Sequence, residues 1–160
     1  AVFIFIFSAI IFISCTKQET LVPIPEPEIK LSSISFKQDS IAVNLSVTTA
    51  RKENVGTLFT TSVEGKLPDS IVRKNNLIIR VTGDSTRLYT GKEIFASYTD
   101  SAGVTYANTI SDTSNKVNIS KLQKIKLGIV EGSFTIRVSN STKTKTLLLT
   151  EGKFSTSFFE

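Results

Sequence analysis

Apolar and polar residues alternate with a period of two along most of the chain after residue 29, and this pattern constrains the fold more than any other feature. Successive side chains of a strand point to opposite faces, so the alternation predicts strands with one buried and one solvated face. In the clearest run, residues 41–47, four apolar side chains alternate with small or polar ones: Ile41, Val43, Leu45 and Val47. No segment keeps an apolar period of 3.6 residues over three turns, which favours an all-β domain.

Turn-forming residues separate the alternating runs. The predicted turns are 75–76, 83–84, 100–103 and 140–145, which are rich in Asn, Asp, Gly and Ser. We expect about seven to nine antiparallel strands within a single domain over residues 29–160. They would form a β-sandwich, with a flattened meander barrel as the alternative. Residues 51–74 are ambiguous, because they fit either a short helix near 55–63 or a strand and a long loop.

The last two alternating runs predict a hairpin of residues 134–139 against 146–150. A short repeat accompanies it, since 130–135 (VEGSFT) resembles 150–155 (TEGKFS). In each copy a glycine interrupts the strand pattern just before a phenylalanine predicted to point inward. Glycine at such a position is typical of a bulge or of a close backbone approach.

An apolar run opens the chain and ends at its only cysteine. Residues 1–13 are apolar except for Ser8, and a run of this length is shorter than the roughly 20 residues that span a bilayer. It matches the core of an export signal. Because the chain contains no Met, we expect an initiator and a short basic leader before this run.

Residues 12–15, Phe-Ile-Ser-Cys, resemble the lipobox of bacterial lipoproteins. The resemblance implies a lipoprotein signal peptide over 1–14, cleavage after Ser14 and lipidation of the Cys15 thiol. Two or more acyl chains give a stable membrane anchor. The alternative is a buried and inert cysteine at the end of a core segment. Residues 15–28, with Pro23, Pro25 and Pro27, then predict a semi-rigid tether between the membrane and the domain.

The C-terminal third, residues 116–158, resembles the closing segment of small uncharacterised lipoproteins of Bacteroidota-type bacteria. The similar motifs are residues 117–122 (VNISKL), 131–134 (EGSF) and 149–154 (LTEGKF). This resemblance implies a β-rich fold and an outer-membrane lipoprotein, on either the periplasmic or the surface face. It implies no particular activity.

The residue types that are missing restrict the chemistry. The chain has no His and a single Cys, which excludes Ser-His-Asp and Cys-His catalysis and zinc sites built on these ligands. We predict no catalytic site, no cofactor and no metal site. Among carboxylates, Glu131 and Glu151 form the best pair, because the hairpin register places them on neighbouring strands. A glycosidase needs two carboxyl groups roughly 5–10 Å apart; the alternative is two exposed acids beside glycine bulges.

All five aspartates are followed by Ser or Thr. Asp-Ser and Asp-Thr are natural turn starters, which is one explanation of the pattern. The other is that Ser40, Ser70 and Ser101 resemble the Asp-Ser/Thr-apolar acceptor of O-glycans in exported proteins of this bacterial group. We keep both interpretations open.

These features favour a membrane-anchored, non-enzymatic binding or accessory module whose partner is an unknown protein or glycan. A carboxylate-based carbohydrate-active hydrolase and a small apolar-ligand carrier are the alternatives. The hydrolase predicts a cleft in which the two glutamates converge, and the carrier predicts a cavity lined by Phe and Ile. We expect no nucleic-acid partner, since the lysines at 121–126 and 143–145 lack interleaved aromatic residues.

Overall fold

The computed structural model describes residues 32–68 and 74–159, with the side chain of Val55 left out. Within these ranges the chain forms eleven strands and one short 3₁₀ helix, Gly91–Glu93. The strands are β1 (Ser33–Gln38), β2 (Ile41–Leu45), β3 (Val47–Val55), β4 (Leu58–Lys66), β5 (Asn76–Thr82), β6 (Leu88–Thr90), β7 (Ile94–Thr99), β8 (Thr105–Ala107), β9 (Lys116–Leu122), β10 (Ile129–Asn140) and β11 (Thr146–Ser157). The predicted all-β class is therefore confirmed, and the eleven strands exceed the seven to nine that were predicted.

The strands form one continuous antiparallel sheet in the order β2-β1-β11-β10-β8-β7-β5-β4-β3, while β9 pairs with β10 and with β6. This sheet curls so that its two halves face each other. Phe36 on β1 packs edge-on against Tyr98 on β7, with ring centroids 5.5 Å apart. The Tyr98 hydroxyl also donates a hydrogen bond of 2.8 Å to Gln38 Oε1 across the same space. The domain thus has the two packed layers expected of a sandwich and the continuous path of a flattened barrel.

The two ends of the curled sheet meet where β3 approaches the end of β11. Ala50 and Phe158 form an isolated parallel bridge, and the Phe159 N–H donates to the Ala50 carbonyl at 3.1 Å. Two residues before Ala50, the Thr48 hydroxyl donates to the Thr156 hydroxyl at 3.0 Å. These contacts nearly close the barrel, and we call them the seam.

Buried apolar side chains from almost every strand fill the space between the layers. Their alternation follows the sequence pattern in β10, where Phe134, Ile136 and Val138 are all 3% exposed or less. The largest of the fully buried side chains are aromatic or long aliphatic: Tyr89, Tyr98, Tyr106, Phe158, Ile34, Leu45, Leu77, Ile79, Ile94, Ile136, Leu147 and Leu149. Burial of these side chains supplies the hydrophobic stabilisation of the fold.

The hairpin prediction is confirmed, and the predicted turns at 83–84 and 100–103 lie between strands, whereas Asn76 of the predicted turn at 75–76 begins β5. Residues 136–139 pair with 146–149 in the predicted register, and the turn at 140–145 is closed by hydrogen bonds between Asn140 and Lys145. In the β1–β2 turn, Asp39 and Ser40 have positive φ angles of 47° and 79°. Two positive φ angles in a two-residue loop are typical of the hairpin turn that matches strand twist.

Two predictions for the first half of the domain need correction. The helix near 55–63 is wrong: β3 and β4 form a long hairpin around Gly56, which has a φ of +65°. The strand of the alternative prediction is present, but residues 58–66 form a second strand where a long loop was predicted, and residues 69–73 lie outside the described part of the chain. The run at 41–47 is not one strand either, since Ser46 separates β2 from β3 and Ile41 is 68% exposed on the outer strand.

The repeated glycines pack against phenylalanines of the opposite strand. Gly132 pairs with Phe154, and Phe134 pairs with Gly152. A Cβ at Gly132 would lie 2.4 Å from the Phe154 ring, and one at Gly152 would lie 2.5 Å from the Phe134 ring. Each ring therefore covers the bare backbone of the glycine opposite it, and the predicted close approach is confirmed. The register also shifts between Phe134 and Ile136, next to Glu151, whose φ is +52°; this is the predicted bulge.

Candidate functional site

The outward side chains of β1, β11, β10 and β9 form a nearly flat surface rich in hydroxyl groups, which we call the polar face. It arises because the inward positions of these strands are apolar and the alternate positions are left to small polar residues. Its members are Ser33, Ser35, Asn118, Ser120, Glu131, Ser133, Lys153 and Ser155. The strand order brings these residues together from four separate parts of the chain.

Two shallow grooves run across the polar face. Each has a volume of about 460 Å³, and the two share Asn118, Ser133 and Lys153. Within the first groove, the Ser120 hydroxyl donates to the Glu131 backbone carbonyl at 3.2 Å. The Ser155 hydroxyl donates to the Glu131 carboxylate at 3.5 Å. The grooves therefore offer hydrogen-bond donors and acceptors at a spacing set by the sheet, which suits an extended polar ligand.

The two predicted glutamates lie on this face but line different grooves. Glu131 pairs in register with Ser155, four residues along β11 from Glu151, which corresponds to about 13 Å of strand. The Glu151 carboxylate accepts a hydrogen bond of 2.7 Å from the Lys37 ammonium, and Lys37 lies on β1, on the other side of β11 from β10. The structure therefore does not bring the two carboxylates into the arrangement that a glycosidase needs.

A larger cleft lies beside the 3₁₀ helix. It has a volume of about 850 Å³ and lies between residues 90–93 and the loop of residues 108–113. Glu93 at its rim forms a salt bridge of 2.7 Å with Arg87. The hydrogen bonds from Arg87 and from the Thr90 backbone hold the pKa of Glu93 below its ordinary value. Glu93 is therefore fixed as an ionised structural group.

Apolar side chains of the described residues pack against one another between the two layers of the sheet. Phe36 lies 5.9 Å, between ring centroids, from Phe134 as well as packing on Tyr98. Burial raises the pKa of the Tyr98 phenol to about 12. The 850 Å³ cleft is lined by Thr, Asn, Ser, Gly and charged residues together with Ile110, and apolar atoms contribute most of its surface. The apolar-ligand carrier therefore stays a prediction.

The predicted acceptor serines lie on turns where the structure describes them. Ser40 and Ser101 are both exposed, in the β1–β2 and β7–β8 turns, while Ser70 lies outside the described residues. Asp39 and Asp100, which precede the two described serines, accept structural hydrogen bonds. Asp39 Oδ1 accepts from the Leu148 N–H at 3.1 Å, and Asp100 Oδ1 accepts from two backbone N–H groups at 2.9 Å. Asp39 and Asp100 thus have structural roles at these two turns, Asp69 lies outside the described residues, and the glycan interpretation of the serines stays a prediction.

The sequence does not indicate the polar face as a unit. Asn118 and Lys153 occur in the motifs of residues 117–122 and 149–154, but each is an ordinary outward residue of its own strand. The signal was present in the alternation, which assigns them to the solvated side. The alternation does not indicate the strand order β1-β11-β10-β9, and this order brings the residues of the polar face together.

Comparisons with protein-family models, with curated proteins and with solved structures give no match. Among the described residues, no three His, Cys, Asp or Glu side chains group as metal ligands do. The same residues contain no helix that is long and apolar enough to cross a bilayer. Cys15, the predicted lipidation site, and residues 15–28, the predicted tether, lie outside the described part of the chain.

Proposed function

We propose that the protein is an envelope lipoprotein, anchored in the outer membrane through Cys15, whose β domain is a non-enzymatic binding module. The observation that carries this proposal is the position of the only cysteine directly after an apolar run of signal-peptide length. A thiol at that point is what lipoprotein maturation modifies, and two or more acyl chains would hold the domain at the membrane.

The polar face is the ligand surface that we assign to this module. Its shallow grooves, with Asn118, Ser120, Ser133 and Lys153 side by side, match the hydroxyl-rich chemistry of a glycan chain better than that of an apolar ligand. The separation of Glu131 from Glu151 supports binding over hydrolysis. The exposure of the grooves also fits a ligand that lies across the sheet.

Replacing Cys15 with Ser should abolish lipid attachment and leave the signal segment uncleaved. The hydroxyl of serine cannot form the thioether to the diacylglyceryl group, so the variant would remain unprocessed and unacylated. Metabolic labelling of native-host cells with a radioactive fatty acid, read on a gel that separates precursor from processed protein, measures both changes, and we expect at least a tenfold loss of lipid label together with the larger precursor mass.

The matched control is Ser14→Ala, which keeps a small residue before the cysteine and should behave as the wild type. If Cys15→Ser is processed and labelled with lipid like Ser14→Ala, the anchor is not at this thiol and the proposed function fails.

A further inference from the structure

Exposed apolar side chains concentrate at one end of the domain. In the loop between β9 and β10, Ile125 and Leu127 are 69% and 68% exposed, and Phe159 beyond β11 is 64% exposed. The Phe158 N–H donates to the Gly128 carbonyl at 2.9 Å, so this loop and the end of β11 are in direct contact. Side chains of this size are rarely left so open together without a binding role.

The tip of the β3–β4 hairpin reaches the same end. The ammonium of Lys52 on β3 lies 5.0 Å from the Phe158 ring centroid. Two residues farther along β3, Asn54 pairs with Phe59, and Phe59 is 54% exposed. Phe59 at the tip is therefore a third exposed apolar group at this end of the domain, besides the β9–β10 loop and Phe159.

Lysines surround these apolar residues. Lys124 and Lys126 flank Ile125 in the loop, and Lys52 lies nearby. Lys124 forms a salt bridge of 2.8 Å with Asp84. Burial and then the positive charge of Lys124 lower the pKa of Lys52, which shows that the two ammonium groups share one electrostatic environment. Three lysines (Lys52, Lys124 and Lys126) accompany one acidic residue, Asp84, and a surface with this excess of positive charge attracts anions.

The described chain also begins at this end. Ser33, the first residue of β1, pairs with Ser155, three residues before Phe158. Residues 15–31 precede the described part of the chain, and a segment of this length spans at most about 60 Å when extended. In the proposed lipoprotein, this end of the domain is therefore the one that the chain joins directly to the anchor at Cys15.

We propose that this end, which we call the basal surface and define by Lys52, Phe59, Lys124, Ile125, Lys126, Leu127 and Phe159, contacts an anionic phospholipid bilayer. The apolar tips enter the interfacial region and the lysines pair with lipid phosphates, as in other interfacial proteins. The inference rests on the proposed function, because the anchor supplies the high local concentration that makes a weak contact effective. It orients the domain with the basal surface on the membrane.

The test uses the processed chain from residue 15 onward carrying Cys15→Ser, so that acylation plays no part. Its binding to vesicles of phosphatidylcholine with phosphatidylglycerol is measured by cosedimentation. We expect the double change Ile125→Ser with Leu127→Ser to weaken binding at least tenfold. We also expect weaker binding of the unsubstituted chain to vesicles of phosphatidylcholine alone.

Ile41→Ser is the matched control. Ile41 is 68% exposed, as Leu127 is, but lies beside the β1–β2 turn at the far end of β1, and its replacement should leave vesicle binding unchanged. Equal binding of the control and the double variant, or no preference for the anionic vesicles, would overturn the inference. A failed anchor would instead appear as normal processing and lipid labelling of full-length Cys15→Ser, so the two failures are distinguishable.

Discussion

Gly132→Ala should lower the free energy of unfolding by about 3 kcal/mol or more, the largest effect that we expect from adding a single methyl group. The new Cβ would lie 2.2 Å from the carbonyl oxygen of Asn118 and 2.4 Å from the Phe154 ring. The Asn118 oxygen belongs to the backbone of the neighbouring strand, so β9 and β10 would have to separate. Urea denaturation followed by circular dichroism measures the loss.

Two other glycines serve as references for this prediction. A Cβ at Gly56 meets nothing within 4 Å, although its φ is +65°, so Gly56→Ala should cost only about 1–2 kcal/mol of backbone strain. At Gly152 the obstacle is the Phe134 ring, and Phe134→Leu should partly relieve Gly152→Ala. If Gly132→Ala and Gly56→Ala lose the same stability, the close packing of β9 on β10 is not as described.

Phe158→Ala should destabilise the domain by about 3–5 kcal/mol, as deletion of a buried ring does. Phe158 is 2% exposed and forms the bridge to Ala50 that nearly closes the barrel. The bridge is made by backbone atoms and can still form, but loss of the ring removes the core packing and the Lys52 contact that hold β3 at the seam. We expect lower unfolding midpoints in urea together with faster hydrogen exchange of the amides in β3.

The neighbouring residue provides the control for the seam. Phe159 is 64% exposed, and Phe159→Ala should change stability by less than about 0.5 kcal/mol. The two variants remove the same side chain at adjacent positions, so any difference reports burial and not residue type. Similar losses for both, or unchanged exchange in β3 for Phe158→Ala, would show that the seam does not close the sheet.

The strands that alternation identified are those with one clearly apolar face. In β10 the inward residues Phe134, Ile136 and Val138 are all large and apolar, and Leu147 and Leu149 continue the pattern in β11. Both strands and the hairpin between them could therefore be predicted. The β3–β4 hairpin was missed because its inward positions include Thr48, Thr61 and Gly65, which hide the period of two. Tertiary packing, not local pattern, makes these residues strands.

The long-range pairings had no sequence signal at all. The seam joins Ala50 to Phe158, more than a hundred residues later in the chain, and neither residue differs from an ordinary core residue. The same limit applies to the two candidate surfaces. Ile125 and Leu127 are indistinguishable by composition from buried residues, and only the fold shows that they are exposed beside Phe159.

The most direct test of the lipoprotein account is mass spectrometry of the N-terminal tryptic peptide of protein purified from the membranes of its host. The account predicts a peptide that begins at Cys15, ends at Lys17 and carries the mass of a diacylglyceryl group on the cysteine sulfur. An unmodified peptide that continues through Ser14 into the preceding apolar run would contradict it.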